Sequence, residues 1–358
     1  MHLKGYSQLI IVHLLLNTIS ITNNKKNMKF NVGIIGYGKM GQIRHKAIEE
    51  TGAGKVTAFS EPNLTLNQSR VSNVSHDEII NNPEIDAIII CTPNFLNKSL
   101  TIKALEAGKH VFCEKPPTFT SKEMEEVRIA EKNSNGKKLM YGLNHRHHDS
   151  VIRMKEIVDE GKFGKVLWMR GRYGKSVTED YFNQWRAKKD LAGGGILIDQ
   201  GIHMLDLFMY LGGDFDVVKA EISNLYWKLE VEDNAFVILK NSKTGLIASL
   251  HSTMTQWRHL FSLEVFLEKG YMVLNGLLTS SNSYGEEVLS IAKNRSTAPA
   301  ATWKDEVKTQ YLDDHSWRYE MEHFFNAIRE DSPVKIGNSN DALSLMKIID
   351  EIYKSKDF

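Results

Sequence analysis

The chain has 358 residues, 42% hydrophobic and 25% charged, with 45 Lys and Arg against 44 Asp and Glu. This is the composition of a globular protein long enough for two domains, and a net charge of +1 gives no sign of a nucleic-acid partner. Two cysteines, Cys91 and Cys113, exclude a disulfide framework and read as reduced, buried thiols of a cytoplasmic protein.

Residues 1–27 are expected to be an extension, disordered or loosely attached. Their apolar run, 9–16, is interrupted only by His13, lacks a small-residue cleavage site and is too short to span a bilayer, so no membrane partner is expected. Met28 directly precedes the first strand pattern and is a candidate start.

Residues 29–35 are a short apolar run suited to a buried parallel strand. Gly36-Tyr37-Gly38-Lys39-Met40-Gly41 follows and opens a helical pattern through residue 50. This is G-x-G-x-x-G in its strand–turn–helix setting, where glycines make the turn, admit a pyrophosphate and pack helix on strand. A second strand, 55–60, ends at Glu61, 25 positions after Gly36. An acidic residue there binds ribose hydroxyls and repels a 2′-phosphate, which favours NAD over NADP. Further strands at 85–91, 109–113 and 138–141 alternate with helices at 97–107 and 121–133. Gly36, Glu61, Thr92 and Lys115 therefore all lie at carboxyl ends of parallel strands, where open sheets bind ligands.

After about residue 143 the pattern changes. A helix at 150–160 and a strand at 165–173 precede a polar, aromatic loop, 174–191. Then comes Gly193-Gly194-Gly195, read as a place for close approach to a ligand, leading into a helix that stops at Gly212-Gly213. On that helix Asp199 and His203 stand four residues apart and share a face, with Asp206 near it. A carboxylate that orients an imidazole is a proton-handling pair. Runs at 217–227, 234–239, 246–254, 261–267 and 271–275 read as a mostly antiparallel sheet covered by helices on one face. Helices at 317–329 and 341–353 close the chain.

These motifs resemble the glucose–fructose oxidoreductase / inositol dehydrogenase (Gfo/Idh/MocA) family. The resemblance rests on Gly36-x-Gly38-x-x-Gly41, Glu61, Thr92-Pro93-Asn94, Ala107-Gly108-Lys109-His110-Val111 leading to Glu114-Lys115-Pro116, and Gly194-Gly195-x-x-x-Asp199-x-Gly201-x-His203. It implies an α/β protein: an N-terminal Rossmann domain with a doubly wound parallel sheet, then a C-terminal α+β domain with a mostly antiparallel open sheet. The expected divisions are 28–145 for the NAD-binding domain, 146–335 for the substrate and oligomerisation domain, and 336–358 for a helix packing back on the body.

The implied activity is hydride transfer between nicotinamide and a hydroxyl carbon of a sugar, cyclitol or related polyol. Lys115, Asp199 and His203 are the implied catalytic group. Either His203 or Lys115 takes the hydroxyl proton. The implied cofactor contacts are Gly36, Gly38, Lys39, Met40, Gly41, Glu61, Thr92, Pro93, Asn94, Glu114 and Lys115. A homodimer or homotetramer through the C-terminal sheet is implied as well. The chain departs from the family in Asn97, where a histidine is frequent, and in Pro117 after Pro116. Asn97 is expected to cap the following helix.

In the family the N-x-R part of Asn144-His145-Arg146-His147-His148 borders the substrate. The histidine spacing fits no common metal site, so no metal is expected. Trp185-Arg186 before the glycine run, and Trp257-Arg258-His259, suit a nucleotide-linked or acidic sugar, stacking on its ring and pairing with an anion. The loop 185–195 and the run Val231-Glu232-Asp233-Asn234 resemble family members of bacterial surface-polysaccharide pathways, which implies an amino or nucleotide-linked sugar. Substrate contacts are thus expected from Asn144, Arg146, Trp185, Arg186, Asp199 and His203. Two alternatives share the fold: a non-catalytic dinucleotide-binding regulator, and a glycosidase that uses NAD transiently.

Overall fold

The computed structural model describes residues 29–62, 71–295 and 297–355. The expected extension, 1–27, lies outside them.

Among the described residues two sheets form. The first has six parallel strands in the order β3-β2-β1-β4-β5-β6. Its strands are β1 (Phe30–Ile35), β2 (Gly54–Ser60), β3 (Ser72–Asn73), β4 (Ala87–Ile90), β5 (His110–Glu114) and β6 (Leu139–Gly142). Helices α1 (Lys39–Thr51), α2 (His76–Asn81), α3 (Asn97–Glu106) and α4 (Ser121–Asn133) provide the crossovers. Four consecutive buried residues in β4, Ala-Ile-Ile-Ile, reflect a strand covered on both faces. The order is that of a doubly wound dinucleotide-binding sheet. β3 and α2 were not expected. Yet α2 carries a sequence-readable start, in which Ser75 Oγ accepts from Glu78 N and Glu78 accepts from Ser75 N.

The second sheet has eight strands, of which only β7 (Val166–Ser176) and β10 (Ile247–Thr253) pair in parallel. The others are β8 (Val217–Ser223), β9 (Asn234–Lys240), β11 (Thr255–Leu267), β12 (Gly270–Asn275), β13 (Glu287–Lys293) and β14 (Val307–Tyr311). Helices α5 (Asp149–Glu160), α6 (Lys189–Ala192) and α7 (Ile202–Gly212) belong to this half, and α7 buries Met204, Leu205 and Phe208 in the sheet's core. The opposite face keeps Phe236, Ile238 and Ile247 exposed. β13 and β14 are additions to the five expected runs.

The last two helices correct the expected division at residue 335. Helix α8 (Ser316–Arg329) packs on the first domain, with Phe325 against Phe30 and Phe324 against Phe112. Helix α9 (Ser339–Lys354) joins both halves: Ala342 and Leu343 enter the first domain's core, and Leu345, Ile349 and Ile352 enter the second. No helix among the described residues is long and apolar enough to cross a membrane.

Candidate active site

The glycine turn after β1 is built for close approach. Gly36 has φ +87°, and a Cβ there would lie 2.6 Å from the Cys91 carbonyl oxygen. A Cβ on Gly41 would lie 2.2 Å from Gly36 O, so this glycine seats α1 on β1 and does not face the cleft. Gly38 has only open space beside it, and α1 starts there without a side-chain cap. Its first N–H groups are thereby left for an anion. Glu61 sits at the end of β2 and accepts from Tyr37 N at 3.1 Å. Open space at Gly38, an uncapped helix start and an acidic strand end fit a nicotinamide dinucleotide.

A cleft of about 810 Å³ runs from this turn to the second domain. Gly36, Gly38, Lys39, Met40 and Glu61 line it, and so do Thr92, Pro93, Asn94, Glu114 and Lys115. The second half brings Asn144, Trp185, Arg186, Asp199 and His203 to the same space. Lys115 Nζ donates to the backbone oxygen of Asp199 at 2.5 Å and lies 3.3 Å from Oδ1. Lys175 Nζ donates to Oδ2 at 2.7 Å, and Arg186 Nε lies 3.8 Å from Oδ1. Burial acts to raise the Asp199 pKa, but Lys175, Lys115 and Arg186 outweigh it and hold the carboxyl well below its usual range. Burial lowers the Lys115 ammonium, against the raising charge of Asp199. His203 is held well below its ordinary value, first by burial and then by the Lys115 charge, so its ring is neutral near pH 7.

Residues 30–143 match the family model described as oxidoreductase family, NAD-binding Rossmann fold, and residues 151–273 match the GFO/IDH/MocA C-terminal domain. The chain belongs to the GFO/IDH/MocA oxidoreductase family. It is similar to levoglucosan dehydrogenase of Pseudarthrobacter phenanthrenivorans, at 34% identity over 54% of each chain, so it spans about half the length of that relative. It is also similar to D-glucoside 3-dehydrogenase of Escherichia coli, at 25% identity over 90% of this chain and 94% of that one. A levoglucosan dehydrogenase structure, in complex with NADH and levoglucosan, shares the fold with a TM-score of 0.80 and 24% identity over 92% of this chain and 97% of that one. This GFO/IDH/MocA chain thus carries the NAD-binding Rossmann fold domain of the oxidoreductase family.

Four expectations about this GFO/IDH/MocA site change. Asp199 does not orient His203: both its oxygens are taken by cations, and His203 Nδ1 is buried with no hydrogen-bond partner. The segment Leu197–Gly201 is a π-helical turn, which changes the expected 3.6-residue register between the two residues. The three glycines approach protein and not ligand. A Cβ on Gly195 would lie 2.0 Å from Glu232 O, and one on Gly194 would lie 2.0 Å from the Tyr353 hydroxyl. Arg146 does not border the cleft. It is buried in a bidentate pair with Asp206, at 2.6 and 2.8 Å, and also bonds Asp341. Asn97 does not cap α3: its Nδ2 donates to Glu114 O at 3.3 Å and Pro116 O at 2.8 Å, and so braces the Lys115 turn.

Trp257 is 58% exposed on a bulge of β11, where its ring meets Tyr226 and Trp227 outside the cleft. Among the described residues no group of His, Cys, Asp and Glu could hold a metal ion. Sequence reasoning missed four contributors. Lys175 gave no signal beyond its place in a polar loop. His145 was read only as one of a histidine run. Arg44, fully buried, bonds Glu114 and Glu320 at 2.6 Å each and so anchors the residue beside Lys115. Glu232 accepts from Leu197 N at 3.1 Å and from the Tyr353 hydroxyl at 2.9 Å, fixing the entry to the His203 helix.

Proposed function

We propose that this chain is a dehydrogenase that moves hydride between nicotinamide and a hydroxyl-bearing carbon of a sugar or cyclitol. The observation that carries the reading is the meeting of Lys115, from the first domain, with Asp199 and His203, from the second, in one cleft. When bound, the dinucleotide supplies the hydride acceptor. Two of the three Lys115 donors are engaged by Asp199, which leaves one for the substrate oxygen and its developing negative charge. Neutral His203 takes the hydroxyl proton on a ring nitrogen and returns it in the reverse direction. Asp199 anchors Lys115 and Lys175 and is a positioning residue toward Lys115.

Glu61 supports NAD over NADP by occupying the ribose end with negative charge. Trp185 and Arg186 at the cleft support a nucleotide-linked or acidic sugar as the finer substrate. Exposed Phe236, Ile238 and Ile247 on the open sheet face support a homodimer or homotetramer through that face. The free thiols of Cys91 and Cys113 support a cytoplasmic setting.

The test is NADH formation from NAD with free sugars, cyclitols and nucleotide sugars. Turnover establishes the dehydrogenase. NADH binding without turnover points to a regulator, and sugar release without net NADH to a glycosidase.

A further inference from the structure

A neutral polyol can be held by either donors or acceptors, so it does not call for a surplus of one charge. The cleft around Asp199 has such a surplus. Three cations face one carboxylate: Lys115 at 3.3 Å, Lys175 at 2.7 Å and Arg186 at 3.8 Å. The Lys175 and Asp199 side chains are only 13% and 16% exposed. The neighbouring acid, Glu114, is engaged by Arg44. His203 and His145 are kept neutral, first of all by burial.

Arg186 is arranged to receive a ligand. Its guanidinium lies 4.3 Å from the centroid of the Trp185 ring, which fixes its plane. Among the described residues its one polar partner is the long pair with Asp199. Lys175 comes from the end of β7 and Arg186 from the short turn Trp185–Ala187, so two elements of the second domain converge on one point. A part-buried cation without a full counter-charge is unfavourable, and a bound anion offsets that cost.

Resting on the dehydrogenase reading for its sugar, we propose that the substrate carries an anionic group, a carboxylate or a phosphate, held by Lys175 and Arg186. This leaves Lys115 and His203 for the reacting hydroxyl. The recognition is charge-assisted, and the guanidinium offers a paired donor edge to two oxygens.

The test is calorimetric titration of the NADH-loaded protein with D-glucose, D-glucuronate and D-glucose 6-phosphate, and with their galactose counterparts. At least one anionic sugar should bind about tenfold or more tighter than its neutral parent. Uronate and phosphate arms tell which anion is read. In Lys175→Met and in Arg186→Met the ratio should fall toward one. The Arg186 side chain is 37% exposed, so that variant reports even where the Lys175 variant fails to fold. Equal affinities across each series, or no binding by any anionic sugar, overturn the anion subsite. The same panel with NAD separates the two claims. Turnover of neutral sugars without preference overturns the subsite and leaves the dehydrogenase. Tight anionic binding without hydride transfer overturns the dehydrogenase and leaves the subsite.

Discussion

His145 lies flat against His203, with ring centroids 3.9 Å apart and planes 12° from parallel. A directed set of hydrogen bonds fixes that ring. Ser316 Oγ donates to Asp314 at 2.6 Å and accepts from Asn144 Nδ2 at 3.2 Å. Asn144 Oδ1 then takes the Nδ1 proton of His145 at 3.1 Å, and the Tyr173 hydroxyl donates to Nε2 at 2.9 Å. Burial holds His145 well below its ordinary value, so its ring is neutral, with both nitrogens committed. It lies as a plate over one face of the His203 ring, which is buried.

The plate sets a pH dependence. Burial disfavours the imidazolium, so His203 loses its proton below its ordinary value of about 6.5. The acid limb of kcat/KM for alcohol oxidation should therefore lie below pH ~6.5. His145→Ala admits water, eases the burial cost and should move that limb upward. A limb that stays in place would remove His145 from this role. A limb that rises only in alkaline solution would make Lys115 the base.

Asn97 should matter to the Lys115 turn. Its side chain bonds two carbonyls flanking Lys115 and accepts from Thr92 Oγ1 at 3.2 Å. Asn97→Ala leaves these groups unsatisfied and should cost about 1–3 kcal/mol in denaturant unfolding. It should also lower kcat by up to about 100-fold while NADH binding persists, since small misplacements of a catalytic group have large effects. Unchanged kcat would show that the turn holds without it.

Arg44 should be among the most sensitive positions. Its guanidinium is fully buried between Glu114 and Glu320 and lies over the rings of Phe112 and Trp317. Burial pushes the Glu320 carboxyl up to about 7, with Arg44 opposing. Removing the cation strands two carboxyls, so Arg44→Met should destabilise by about 3–5 kcal/mol in urea or guanidinium unfolding. A loss under about 1 kcal/mol would mean that the site relaxes without it.

Glu61→Ala should relax cofactor choice. Loss of the ribose contacts and of the repulsion toward a 2′-phosphate should shift the NAD:NADP ratio of kcat/KM about tenfold toward NADP. Steady-state kinetics with both cofactors decides it, and an unchanged ratio removes Glu61 from the ribose site.

What the sequence made legible was local. Gly36-x-Gly38-x-x-Gly41 forms its turn through contacts within the motif and with Cys91 and Thr92, just past the end of β4. The strand ends at Glu61, Thr92 and Lys115 follow from the alternation of strands and helices. Partners far apart in the chain were not legible. Glu114 and Glu320 lie 70 and 276 residues from Arg44. The glycine run looked like a ligand loop because sequence shows missing side chains and not what fills their place, here Glu232 and Tyr353. Asp199 and His203 looked like a pair because the π-helical turn between them leaves no mark in residue spacing.

In the proposed reaction Lys115 and His203 act together on a substrate hydroxyl. Their joint action is tested most directly by NADH formation in the parent protein, His203→Ala and Lys115→Ala on any sugar the parent oxidises, with NADH affinity measured alongside. Turnover should fall about 10²–10⁴-fold in each variant with NADH affinity preserved. Near-parental turnover in both variants would contradict it.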